Sequence, residues 1–154
     1  MATGYPQVLA VPSLYRIVRT LSVTQFTTTF NISSAAIAKN DVVSEVQALY
    51  PDATADQIRR AAVIKQVDVQ NTGYDTAGAS ATTPVLYFEH PDTSPTPNPV
   101  VTGAATTLQP GSSASYPSPA GRRMTTFYLQ ASGAPAVAQA VNVIVWFDVP
   151  GFGS

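Results

Sequence analysis

Residues 15–32 read YRIVRTLSVTQFTTTFNI, and the class of the fold turns on them. Val, Ile, Phe and a dense set of Thr favour extended backbone, because branched and aromatic side chains pack well on a pleated surface. Apolar residues alternate at Tyr15, Ile17, Leu21 and Val23, then on the other parity at Phe26, Phe30 and Ile32. Successive side chains on a strand point to opposite faces. The change of parity therefore needs a bulge or break near Thr24 and Gln25, and the stretch is expected to be one long bent strand or two collinear ones.

Outward from this stretch the period changes and then returns. In DVVSEVQALY (41–50), Val42, Val46, Leu49 and Tyr50 share a helical face, with Asn40 or Asp41 as cap and Pro51 as stop. Thr54 and Gln57 have the spacing of a capping box that opens a second short helix running into Arg59 and Arg60. The β pattern resumes in AAVIKQVDVQNTG (61–73), with Val63, Val67 and Val69 on one face, and in PVLYFEH (84–90). Further strands are expected within 100–109, near Ser113–Tyr116, in RRMTTFYLQ (122–130) and in AVNVIVWFDVP (140–150). The last is apolar at both parities and reads as a central strand covered on both sides. Four prolines between Pro91 and Pro99 mark an extended loop, since proline cannot feed a ladder. Residues 1–13, with Gly4, Pro6 and Pro12, form a short arm, and residues 14–154 form one domain. Many short strands divided by Gly/Pro loops, with helices in one early connection only, give an all-β sandwich or barrel.

Composition narrows the function. Of 154 residues, 45% are hydrophobic and 11% charged, against a charged share of roughly 25% in ordinary soluble domains. A surface of Ser, Thr, Ala, Gln and Asn is covered by copies of itself at low desolvation cost, because few ions must leave water. The formal net charge of −1 lacks the basic excess of a dedicated nucleic-acid binder. With no cysteine, disulfides, thiolate metal sites and cysteine nucleophiles are excluded. The opening residues lack the basic and apolar regions of a signal peptide, and no apolar run approaches the ~20 residues that span a bilayer. Synthesis in the cytosol as a soluble chain, without a membrane partner, is the expectation.

Little in the sequence points to catalysis. The single histidine, His90, cannot build an imidazole cluster. Asp41 and Glu45 stand at i, i+4, which first-turn helix charge accounts for. No P-loop, nucleophile elbow or zinc-protease pattern is present, and the chain is read as a non-enzyme without cofactor. Glu89 and Asp92, around His90 and Pro91, are the candidate ligands for a divalent cation at a subunit contact, although a strand end entering a loop accounts for the same tract. Arg16 and Arg19 are the candidate phosphate contacts, because guanidinium pairs hold phosphate oxygens bidentately; the remaining basic residues are scattered.

The order of elements resembles the jelly-roll shell domain of coat proteins from small icosahedral plant and satellite RNA viruses. Leu14–Ile32 looks like the first strand of that domain, strand B, and the two helical segments to Arg60 like the helix after it. Ala61–Gly73 then looks like strand C, Thr83–Pro91 like strand D, and Val141–Pro150 like the closing strand. The resemblance implies a single jelly-roll β-sandwich with one or two short helices. It implies a capsid subunit that self-assembles into a small icosahedral shell, resides in the virion, is made in the host cytoplasm and makes weak contact with viral nucleic acid. Two features depart from the family: an arm of about a dozen residues replaces a long basic one, and only Asp92 stands where aspartates cluster around calcium. The short arm favours the smallest shell, about sixty copies. No residue pattern in the sequence marks an assembly interface.

Two other classes share the composition. A phage-type decoration or fibre protein would form trimers or small oligomers and no closed shell alone. A carbohydrate-binding sandwich would recruit exposed aromatics such as Tyr74, Tyr87, Tyr116 or Trp146, although Trp146, inside an apolar strand, is expected in the core.

Overall fold

Alternation of buried and more exposed residues along β1, β6 and β8 and most of β3 sorts the chain into two layers. A computed structural model describes residues 15–26, 28–32, 42–89, 106–118, 124–133 and 137–151. In chain order these form β1 (Tyr15–Val23), β2 (Thr28–Asn31), α1 (Ser44–Gln47), α2 (Ala55–Ala61), β3 (Val63–Asn71), β4 (Val85–Glu89), β5 (Thr106–Leu108), β6 (Ser113–Pro117), β7 (Thr126–Ala131) and β8 (Gln139–Asp148). One sheet has the order β1-β8-β3-β6 and the other β2-β7-β4-β5. All the pairings are antiparallel: β1 with β8, β2 with β7, β3 with β6 and β4 with β5, together with β3–β8 and β4–β7. The first four pairs match strand n with strand 9 − n. The chain is thus one long double strand whose tip joins β4 to β5, folded over itself into two facing sheets. That is the jelly roll, a two-sheet arrangement of eight antiparallel strands.

Several expectations are corrected. Residues 15–32 are two strands in different sheets, neither one bent strand nor a collinear pair. The parity change at Thr24–Gln25 is the corner at which the chain crosses from one layer to the other, because the inner side of β1 and the inner side of β2 face each other. The segments likened to strands C and D are therefore the third and fourth strands, β3 and β4. A bulge between Ile64 and Gln66 shifts β3, so Ile64 and not Val63 joins Val67 and Val69 opposite Phe147, Val145 and Val143. The strand buried on both faces is β7, while β8 buries one face and leaves the other half-exposed.

The core lies between the layers. From the first sheet come Tyr15, Ile17, Val67, Val69, Val141, Val143, Val145 and Phe147; from the second come Phe30, Val85, Tyr87, Phe127 and Leu129. Tyr116 of β6 stacks on Tyr87 of β4 across the gap, with ring centroids 4.0 Å apart and planes at 6°. Phe127 then stacks on both Tyr87 and Phe30. Each fully buried large apolar side chain contributes about 1.5–3 kcal/mol. Helix α2 opens on the expected box: Thr54 Oγ1 accepts from Gln57 N at 3.2 Å and Gln57 Oε1 accepts from Thr54 N at 3.0 Å. It buries Ile58. Helix α1 buries Val46, and Val42 and Val43 just before it are buried too. Leu49, expected on the same face, is 44% exposed, because the helix ends at Gln47 and the chain turns before Leu49 reaches the core. Asn40 and Asp41, like the arm and the loop 91–99, lie outside the described residues. Among those described, no helix is long and apolar enough to cross a membrane.

One end of the sandwich closes on a buried amide pair. Asn71 and Gln139 are both fully buried. Gln139 Nε2 donates to Asn71 Oδ1 at 2.8 Å and to Ala81 O at 2.9 Å, and Gln139 Oε1 accepts from Thr83 N at 3.3 Å. Asn71 Nδ2 donates to Thr83 O and Leu108 O at 3.0 and 3.1 Å. The same Asn71 Oδ1 also accepts from Gly73 N at 3.3 Å, which requires the turn that Gly73 makes at φ +78°. Gln139→Leu would leave Ala81 O and Thr83 N without partners in the interior, a loss of about 2–4 kcal/mol. Urea unfolding should show a lower midpoint with unchanged slope.

Candidate assembly surface

The residues between the core-facing positions of the first sheet emerge on its outer side, and the register sorts them into three rows of four. These are Arg16–Trp146–Gln66–Pro117, Val18–Ile144–Asp68–Ser115 and Thr20–Asn142–Gln70–Ser113. Only Arg16 and Asp68 of the twelve are ionic. Both are engaged by the same indole: the Arg16 guanidinium carbon lies 5.7 Å from the centre of the Trp146 ring, and Trp146 Nε1 donates to Asp68 Oδ2 at 2.7 Å. Gln66 Nε2 donates to Asp68 Oδ1 at 2.8 Å. In the third row Thr20 Oγ1 donates to Asn142 Oδ1 at 2.7 Å and Asn142 Nδ2 to Gln70 Oε1 at 3.2 Å. A polar ladder thus crosses three strands. Val18, 59% exposed, stands at the edge, and a shallow hollow of about 380 Å³ lies over Asp68, Gln70, Ser113, Ser115, Asn142 and Ile144.

Burial alone would raise the pKa of Asp68. Hydrogen bonds from Ser115, Trp146 and Gln66 outweigh it and hold the carboxyl below the ordinary carboxylate range. An anion with its lone pairs so occupied is a poor proton acceptor for catalysis. What this face offers is a carboxylate and a polar ladder hydrogen-bonded within the subunit, and groups so paired lose little when water is removed.

Arg16 and Arg19 are not brought together. They stand three residues apart on one strand, so they leave it on opposite sides: Arg16 is exposed beside Trp146, while Arg19 is half-buried and pairs in register with Val143. A bidentate grip by the two is geometrically closed. Glu89 ends β4, half-buried, in register with Phe127. It lies near enough to Tyr87 to add, after burial, to the rise of that phenol's pKa above its ordinary value. Asp92 and His90 lie outside the described residues. Among the described residues no three metal-ligating side chains converge. Tyr87 and Tyr116 are stacked within the sandwich, and Tyr74 is exposed in the loop after β3. Trp146 is not a core residue as expected but a half-exposed one on the open face. The outward parity of Asn142, Ile144 and Trp146, and of Gln66, Asp68 and Gln70, is visible in the alternation; which of them meet depends on a register that only the fold supplies.

Because the Asp68 carboxyl is more acidic folded than unfolded, its stabilisation is fully present above the unfolded pKa of ~3.9. It is lost as pH falls through the lower folded value. Asp68→Asn, which keeps an acceptor for Trp146, should flatten this part of the acid dependence: melting temperatures between neutral and strongly acidic pH should fall less in the variant than in the parent.

No protein-family profile and no curated protein matches the sequence. Among solved structures, the chain is similar to one described with the Bacillus endospore appendages, a family of disulfide-linked pili, at TM-score 0.49 and 11% identity, over 95% of this chain and 98% of that one. It is also similar to the virus-like particle of the giant freshwater prawn Macrobrachium rosenbergii extra small virus, at TM-score 0.36 and 9% identity, over 96% and 88%. Likeness at this distance carries no function across.

Proposed function

We propose that the chain is a building subunit that assembles with copies of itself into a small icosahedral shell of virus-capsid type, and that it is not an enzyme. The observation that carries the reading is the outer face of the first sheet: a broad four-stranded surface whose three central rows hold one cation and one anion, both against one indole. A charged side chain taken out of water costs several kcal/mol unless partnered; the Asp68 carboxylate has its hydrogen-bond donors within the subunit, and the Arg16 guanidinium rests against the Trp146 ring. The low charge of the whole chain, 11%, extends the same argument to the remaining surface, since monomers keep apart largely by charge. With no cysteine, copies would be held without disulfides. Localisation in a virion, after synthesis in host cytoplasm, belongs to this reading; so does any phosphate contact, which Arg16 would make singly.

Trp146 on the open face favours a carbohydrate platform as a second reading. Arg16 lies over its ring, however, and occupies the surface on which a sugar would stack.

Purified full-length chain, followed by light scattering after gel filtration and by negative-stain microscopy, should give uniform closed particles. About sixty subunits of 16.2 kDa make particles near a megadalton. A stable trimer would replace the shell with a decoration or fibre protein, and a monomer retained on immobilised polysaccharide would replace it with a sugar-binding module. Particles absorbing strongly at 260 nm would establish packaged nucleic acid.

A further inference from the structure

Four strands border the two sheets, and one of them is unlike the rest. β2 and β5 are four and three residues long, and β6 ends in Pro117, which has no N–H to give a further strand. β1 runs for nine residues without proline and keeps one register with β8 from Tyr15 to Val23. Shortness and proline are common protections of a sheet edge. β1 has neither.

Which backbone groups of β1 point outward follows from its neighbours. Thr72 N donates to Ala140 O and Ala140 N to Tyr74 O, so Ala140 turns its backbone toward the β3 side. Asn71 bonds Gly111 and Ser112 on the β6 side, so its register partner Val141 turns toward β1. This direction alternates along a strand. Val141, Val143 and Val145 therefore bond Leu21, Arg19 and Ile17, while Arg16, Val18 and Thr20 direct their N–H and C=O groups away from the sheet. Ser22, next in that series, has its carbonyl taken by Thr28 Oγ1 at 3.4 Å. Among the described residues, nothing bonds the outward backbone groups of the other three.

The side chains of these three residues are exposed on the outer face, Val18 at 59%. Arg16 is the one cation among them, and its guanidinium lies over Trp146 of the neighbouring β8. It is thus drawn inward over its own sheet, where it does not guard the edge.

A row of alternating donors and acceptors at this spacing is completed by another strand, and the strand that matches it best is a second β1. In antiparallel pairing about Val18, Arg16 and Thr20 of one copy exchange bonds with Thr20 and Arg16 of the other. The two Val18 side chains then cover one another. Each of the three pairs exchanges two bonds, about six in all. Arg19, on the inner side, stands opposite Ile17 of the second copy. Charge selects this register: a slide one way sets the two Arg19 side chains directly opposite, and like charges so placed repel. A slide the other way carries Thr20 past the start of the strand.

We propose that β1 of one copy pairs with β1 of a second, antiparallel about Val18, joining the two first sheets into one of eight strands. The proposal rests on the self-assembly reading and gives it an isologous joint.

The chain has no cysteine, so a single introduced one reports the joint. Residues that exchange both bonds have Cα atoms about 5.5 Å apart, within reach of a disulfide. The two Thr20 residues would stand about 14 Å apart, four residues along the strand. Full-length Val18→Cys under mild oxidation should form covalent dimers at least tenfold faster than Thr20→Cys. Val18→Pro removes an N–H that serves no bond within the subunit, so circular dichroism should match the parent. Its assembly, followed by light scattering, should weaken at least tenfold. Equal cross-linking of the two cysteine variants overturns the joint, and so does a Val18→Pro variant that assembles as well as the parent. A parent that forms shells in those cases leaves the shell reading standing. Selective cross-linking at Val18 with a parent that stops at the dimer keeps the joint and ends the shell. Should Val18→Pro misfold, the cysteine pair decides. A parent that stays single at high concentration ends both proposals.

Discussion

The ladder between β3 and β8 joins residues such as Asn71 and Val141, far apart in the chain, and the rest of the molecule hangs from it. It is the seam at which the folded-over double strand is stitched to itself: β8 is held by β1 on one side and β3 on the other, while β7 and β4 make the corresponding seam in the second sheet. A register slip of one residue would turn Val141, Val143, Val145 and Phe147 outward and Trp146 inward. It would also separate Gln139 from Asn71. Hydrophobic pattern and buried amides therefore specify the same register, and the amide pair is the more discriminating of the two, because a valine tolerates a displaced neighbour and an unpaired buried carbonyl does not.

That seam explains what was legible in the sequence and what was not. Local signals held where the physics is local: the Thr54–Gln57 box, the Asn71–Gly73 strand end and most strand positions depend on neighbours a few residues away. The parity change after Val23 was also correctly located, but its meaning was not local. A bulge, a break and a crossing between layers leave the same trace in one strand, and only the partners of β2 distinguish them. The bulge that does exist, between Ile64 and Gln66, was hidden because Val63 and Ile64 are both apolar and either could have served as the inward residue. Trp146 was misplaced for a related reason. In a strand that is apolar at both parities, composition does not say which side is dry, and the answer comes from β1 and β3 lying beside it with their own alternation.

The candidate site was legible as a set of positions and illegible as a surface. Alternation showed that Gln66, Asp68 and Gln70 leave β3 on one side. It could not show that Asp68 sits within reach of an indole carried seventy-eight residues later, nor that the same indole lies beneath Arg16. The Arg16/Arg19 pairing, in contrast, was decidable from the sequence once a strand was assumed, since an odd spacing sends two side chains to opposite faces.

A closed shell makes demands that one flat face does not meet. Two copies pressed together by the same patch form an isologous pair and stop; a structure that encloses space also needs contacts between unlike surfaces, each copy offering a different end to its neighbour. For the proposed shell, the folded-over strand would supply both kinds of surface from one core. Its sheet leaves a broad side open, with a polar ladder paired across three strands, while its corners and the helical connection between β2 and β3 put unlike features at the two ends. The helical connection is also where helical periodicity failed, at Leu49: a side chain patterned for the interior and left outside it keeps its apolar surface in water until another molecule covers it. In a chain with so few charges to hold copies apart, that exposure works in the same direction as the open sheet.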